Sequence, residues 1–346
     1  MMASGIRFAR PLICSGVVAL LLAFSHVGTY AANAPLRTFW ATRSSIDSPE
    51  TIRRAVAAAA LGGFDTIMVP VGLYAEAPSA FDGALEMVKE ARGRGLRVHA
   101  WIEVTLAAAA GELPGSRDHV LYQHPEWLMV PRELAPDVLK VDVRSPAYLG
   151  RLSRWVRANT PRIDGLYLSP LAPEAIAYLV TSVTAAAQRY AVDGVFLDAM
   201  RFPGADFDYS RHAMEIFRTV TRAQLSPEER TRLDEVESID PFGYTEEFPD
   251  RWRQFRQSRL TNLMSRMRKA LASVSPTLVV SAGVEADAGI ARADSFQDWT
   301  NWMETGLIDG VGRRSGTSGT IVFTTDGLPA AVPASDAQTS GAGATR

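Results

Sequence analysis

Val192-Asp193-Gly194-Val195-Phe196-Leu197-Asp198 is the stretch that decides the fold. Asp193-Gly194 suits a turn, and Asp193 there reads as a structural residue. Val195-Phe196-Leu197 then runs apolar until it meets the carboxylate of Asp198. A short continuous apolar run suits a strand buried on both faces, as in a parallel sheet. A helical pattern, Pro173 to Tyr190, leads straight into it.

The same helix-then-strand unit recurs on either side. Ser48 can cap a helix with Pro49 in its first turn, Gly62-Gly63 can stop it, and Thr66-Ile67-Met68-Val69 follows. A helix from about Asp82 to Arg94 stops at Gly95 before a strand from Arg97 to Val104. A third, Asp250 to Ser273, leads into Leu278-Val279-Val280-Ser281. A fourth, Ser295 to Glu304, stops at Gly306 before Leu307-Ile308. With the first strand, Thr38 to Thr42, six strands can be read.

Alternation of this kind specifies an α/β fold with helices over a parallel sheet. The expected architecture is a (β/α)8 TIM-type barrel, a fold of ~250 residues. A doubly wound open sheet gives the same local signals. It loses ground because no Gly-x-Gly-x-x-Gly turn follows the first strand.

Three segments stand outside the rhythm. Residues 1–31 read as a secretory signal peptide, with Arg7 and Arg10 before an apolar run from Pro11 to Phe24 and small residues Thr29 and Ala31 at the cleavage site. The only cysteine, Cys14, lies in that leader, so the mature chain has no thiol chemistry. Residues 205–248 form an insertion, helical from Ser226 to Glu237 and aromatic at its ends, expected over the mouth of the barrel. Residues 312–346 are rich in Gly, Ser, Thr, Ala and Pro and read as a low-complexity, disordered tail after a barrel spanning 36–311. The barrel is therefore expected to be incomplete at its C-terminus, as a truncated or frame-shifted reading frame would leave it.

The chain carries a formal net charge of −2 with its charges interspersed, so no basic face for nucleic acid is expected. Outside the leader the histidines are His99, His119, His124 and His212, with no His-Glu-x-x-His and no His-x-His at a strand end. Neither a metal nor a cofactor is called for. A Gly-x-Ser-x-Gly elbow is also absent from the sequence.

In parallel β/α folds the chemistry sits at the C-terminal ends of the strands. Asp198, followed by Arg201, is the foremost candidate there, because a carboxylate ending an apolar strand is costly to bury without a purpose. A second carboxyl is sought in Glu285, after the Leu278–Ser281 strand, or in Glu103, since acid and base or nucleophile work in pairs. His99, Trp101 and Glu103 alternate along one strand and share its inward face. Trp40 and Arg43, at the end of the first strand, join His99, Trp101 and Arg201 as candidate substrate-binding residues. A packed interior is the plainer reading of Trp40, His99 and Trp101.

These pieces together resemble a known family. Phe39-Trp40-Ala41-Thr42-Arg43, Val98-His99-Ala100-Trp101-Ile102, His124-Pro125-Glu126-Trp127-Leu128, Tyr167-Leu168-Ser169-Pro170 and Val192 to Asp198 with Arg201-Phe202-Pro203 are similar to the glycosyl hydrolase-like 10 family, over roughly residues 36 to 310. The resemblance implies an exported bacterial protein, periplasmic or extracellular, with an α-amylase-related barrel and no stable membrane span once the leader is removed. Gly194 to Ala199 also resembles the strand-four motif of the α-amylases. That implies a nucleophilic role for Asp198 in retaining hydrolysis of O-glycosidic bonds, with a general-acid Glu after the next strand, where Glu285 is nearest. It implies polysaccharide or peptidoglycan glycan as the partner. The alternative expectation is a non-catalytic carbohydrate-binding or degenerate barrel.

Overall fold

A computed structural model of the chain describes residues 35–74, 81–110, 113–315 and 318–323. The chain divides between Ala32 and Asn33, and the described residues all belong to the second unit. The expected leader with Cys14 and residues 324–346 of the expected tail lie outside them.

Among the described residues nine strands are present: β1 (Leu36–Trp40), β2 (Thr66–Pro70), β3 (Arg97–Glu103), β4 (Leu106–Ala109), β5 (Gly165–Tyr167), β6 (Gly194–Asp198), β7 (Val279–Gly283), β8 (Gly310–Ser315) and β9 (Ser318–Val322). Seven close a barrel in the order β1-β2-β3-β6-β7-β8-β9. β1 to β8 pair in parallel around that ring. β9 is antiparallel to both β8 and β1 and completes the circle. β4 and β5 pair antiparallel as a separate ribbon.

Local chemistry sets the helices. Ser48 caps the helix Pro49–Leu61, its Oγ accepting from the Thr51 amide at 3.3 Å. Asp82 caps Gly83–Gly93, and Gly95, with φ +75°, takes the left-handed turn into β3. The helices Pro173–Tyr190 and Pro249–Val274 lie where the sequence puts them. The outward-facing residues of β3, Val98, Ala100 and Ile102, are fully buried in the apolar layer between sheet and helices.

Three expectations change. Where a (β/α)8 barrel left incomplete at its C-terminus was expected, seven strands close the barrel among the described residues. Residues 312–315 and 318–322, expected to belong to the tail, instead complete β8 and form β9. Their small residues have a packing reason. A Cβ on Gly312 would come within 2.5 Å of the Phe196 ring, and one on Gly319 would overlap the Trp40 indole. The glycine content is what a strand facing large interior aromatics requires. The expected helix Ser295–Glu304 shortens to Trp299–Glu304, and a separate short helix, Ala288–Asp294, precedes it, with Phe296 at φ +57° between the two.

The insertion at 205–248 is tied to the loop carrying Arg132 and to the helix Pro249–Val274. Arg132 donates its backbone amide to the Asp206 carbonyl and its side chain pairs with Glu246. Arg256, from the helix Pro249–Val274, donates to the carbonyls of Ala205 and Phe207. The insertion's aromatics are core residues: Tyr209 packs edge-on against Phe242 and Trp252, and Phe207 against Trp155. They are not free to stack on a sugar at the mouth.

Candidate active site

The interior faces of β3 and β6 meet rung by rung. His99 pairs with Gly194, Trp101 with Phe196, and Glu103 with Asp198. The first rung is wholly inside. His99 is fully buried, and burial together with the Arg97 charge lowers its pKa to about 3, so it is neutral. A Cβ on Gly194 would sit 2.7 Å from the His99 ring, so glycine is needed opposite it. In the second rung Trp40 crosses edge-on to Phe196 and Trp101 at 4.8 and 5.2 Å between ring centroids. The Trp40 Nε1 donates to Thr38 Oγ1 at 2.9 Å, and only 1% of the residue is exposed. Trp40 and His99 therefore fill the barrel.

The third rung reaches the C-terminal rim, and there two carboxyls stand side by side. Asp198 Oδ2 accepts from Trp101 Nε1 at 2.8 Å, and its Oδ1 accepts from the Ala199 amide at 2.8 Å. Ala199 has a φ of +50°, a left-handed conformation that a non-glycine residue seldom takes. The chain thus turns sharply as it leaves β6, leaving Asp198 at the strand end. Thr105, fully buried, donates its hydroxyl to the Ala199 carbonyl and holds this turn.

Glu103 is half-buried and pairs with Arg43 at 3.3 Å. Burial raises its pKa, the Arg43 guanidinium opposes that shift, and the negative charge of Asp198 adds to it. Unequal environments for two adjacent carboxyls are the arrangement that separates an acid from a nucleophile. A cavity of about 750 Å³ opens beside the pair, walled at one end by Arg43, Trp101 and Glu103. Asp198 is not itself on that wall.

Glu285 does not join the pair through any hydrogen bond among the described residues. It is exposed, beyond the end of β7, and its Oε1 accepts from the neighbouring Ala286 amide at 2.9 Å. Gln297 holds the backbone there, accepting from the Glu285 amide at 3.2 Å. The residue of β7 that touches Asp198 is Gly283, where a Cβ would lie 2.6 Å from Oδ1.

Arg201 is at the rim but pairs elsewhere, with Asp164 at 2.8 Å. Tyr167 donates to the other oxygen of Asp164 at 2.5 Å. Sequence reading missed Asp164 and Tyr167 as site residues. Tyr167 ends the ribbon strand β5 and Asp164 immediately precedes it, and the three residues of that strand carry little periodic signal. Among the described residues no group of three or more His, Cys, Asp or Glu could hold a metal ion.

The sequence pattern of a family described as Glycosyl hydrolase-like 10 matches residues 77–314. The chain belongs to that family. As a glycosyl hydrolase-like 10 protein it carries both rim carboxyls, Glu103 and Asp198, inside the matched region. Comparison with curated proteins gave no match. Among solved structures it is similar to the glycoside hydrolase domain of PgaB (BpsB) from Bordetella bronchiseptica, at 13% identity over 80% of this chain and 73% of that one, with a TM-score of 0.48. It is also similar to a β-galactosidase from the psychrophilic Marinomonas ef1, at 10% identity over 79% of this chain and 39% of that one, with a TM-score of 0.49. A β-galactosidase from Rahnella sp. R3 matches at 15% identity over 80% and 38% of the two chains, with a TM-score of 0.48. The chain spans well under half the length of either galactosidase.

Proposed function

We propose that this glycosyl hydrolase-like 10 protein hydrolyses O-glycosidic bonds, with Asp198 as nucleophile and Glu103 as acid/base. The observation that carries this reading is the register of β3 on β6, which makes Glu103 and Asp198 direct neighbours at the rim. Neighbouring strands lie ~4.8 Å apart. That spacing favours the ~5–5.5 Å carboxyl separation of retaining enzymes over the ~6.5–9.5 Å of inverting ones.

In the first step the protonated Glu103 gives its proton to the leaving oxygen while Asp198 attacks the anomeric carbon. In the second, Glu103 takes a proton from water as that water displaces Asp198, which returns both carboxyls to their starting state. The raised pKa of Glu103 suits the acid role. The two neutral donors on Asp198 orient it without neutralising it. Arg43 and Trp101, on the cavity wall, are the residues placed to contact sugar. Arg201 is a neighbour of the site rather than a direct ligand.

The substrate class proposed is cell-wall glycan, met outside the cytoplasm. Reducing ends released from purified peptidoglycan glycan strands and from α-glucan, by the parent protein and by Asp198→Asn, test the assignment. Release by the parent and none by the variant is expected. Equal, nonzero release would remove Asp198 from the chemistry. The antiparallel closure by β9, in place of further strand–helix units, favours a second reading as a carbohydrate-binding barrel without turnover. Glycan binding with no reducing-end release by the parent would select it.

A further inference from the structure

We propose that Asp164 is a positioning residue that holds the Arg201 guanidinium beside Asp198 while keeping it from binding Asp198. The inference rests on the assignment of Asp198 and Glu103 as the working pair.

Asp164 is fixed from several sides. Its carbonyl accepts from the Ala110 amide at 2.6 Å, which ties it to the ribbon outside the barrel. Its Oδ1 is taken by the Tyr167 hydroxyl at 2.5 Å and its Oδ2 by Arg201 at 2.8 Å. Arg201 lies with its guanidinium carbon 5.5 Å from the centre of the Tyr167 ring. Its backbone is pinned as well, since the amide donates to the Ala199 carbonyl at 2.9 Å and the carbonyl accepts from Thr105 at 3.2 Å. The cation therefore has one charged partner and one aromatic face, both outside the barrel.

Asp198 is only three residues from Arg201, and its charge is among those that stabilise the protonated Arg201. Yet both of its oxygens are bound by neutral donors, and among the described residues it forms no ion pair. A charge-assisted bond is about twice as strong as a neutral one. Without the negative charge of Asp164, Arg201 has Asp198 as its best remaining partner. A guanidinium seated on Asp198 would stabilise the carboxylate in the ground state and blunt its attack. Held one step away, the cation steadies the local negative charge and leaves the oxygens available.

The charged and titratable groups facing this pair come from four segments. Arg43 follows β1, Tyr74 follows β2, Asp164 and Tyr167 lie before and at the end of β5, and Arg201 follows β6. Asp164 is the one whose substitution by the isosteric Asn keeps an acceptor for Tyr167 while removing the charge that holds Arg201.

The test uses the full chain with Asp164→Asn, Arg201→Gln and both together, each checked for an unchanged melting profile. Crystal structures of each variant are determined beside kcat and KM on glycan strands. In Asp164→Asn the Arg201 guanidinium is expected within hydrogen-bond distance of an Asp198 oxygen. The substitution is expected to cost kcat about tenfold or more with little change in KM. Adding Arg201→Gln should return most of kcat towards the parent. An Arg201 guanidinium that stays away from Asp198 in Asp164→Asn, or a double variant no more active than Asp164→Asn, would overturn the proposal. If the parent hydrolyses no glycan, the position of the guanidinium still decides the matter, and that failure belongs to the functional reading alone.

Discussion

The two sides of the barrel interior are built from opposite materials. β1, β3 and β6 send in Trp40, Trp101 and Phe196, and at the rim Glu103 and Asp198. β7, β8 and β9 answer with Gly283, Gly312 and Gly319, each lying against one of those side chains. One side supplies bulk and chemistry, and the other supplies the room for them. Interiors are close-packed, so neither side can change independently of the other. Site geometry is therefore coupled to residues with no functional groups.

The comparison can be broken most severely from the bulky side. Trp40→Ala removes a wholly buried indole between two aromatic neighbours and should destabilise by ~3–5 kcal/mol, read as a lowered midpoint in urea or heat. From the open side, Gly283→Ala puts a methyl against Asp198 Oδ1. If Asp198 is the proposed nucleophile, shifting it by a fraction of an ångström should cut glycan hydrolysis about a hundredfold, with the fold retained in circular dichroism. Activity equal to the parent would show that the contact does not set the position of Asp198.

A smaller effect follows from Glu103 itself. Its folded pKa lies above the ordinary glutamate value, chiefly through burial. The folded state thus binds the proton more tightly than the unfolded state does. The resulting stabilisation is complete below the unfolded pKa and is lost as pH rises through the folded one. Stability should decline with pH over that window, and Glu103→Gln should flatten the slope. Melting temperatures across the acid range check this, and an unchanged slope in the variant would count against the buried-acid description.

Much of this contrast was legible in the sequence, though unevenly. The apolar strand ending in Asp198 and the alternation His99, Trp101, Glu103 both carry the period of a strand, and both lie where that period puts them. The caps Ser48 and Asp82 are local chemistry and could be read locally. The glycine side could not. Gly312 and Gly319 look like low complexity until Phe196 and Trp40 are in place across the barrel, because their requirement is a long-range contact. The partner of Asp198 is hard to read from sequence for a related reason, as Glu285 shows. It follows the neighbouring strand in order, but it lies past Gly283 in an exposed loop. Which carboxyl faces Asp198 depends on register, and register is fixed by pairing rather than by sequence spacing. The helices Pro146–Ala158 and Arg211–Arg222 escaped notice although the second places Ala213, Met214, Phe217 and Thr221 on one face. Its polar residues masked that stripe.

The partnership of Glu103 with Asp198 is the centre of the account. It is tested most directly by measuring reducing-end release from peptidoglycan glycan strands for Glu103→Gln and Glu285→Gln beside the parent protein. A loss of about a hundredfold or more for Glu103→Gln, with Glu285→Gln close to the parent, is predicted. Retained activity in Glu103→Gln together with a collapse in Glu285→Gln would contradict it and return the acid role to the loop after β7.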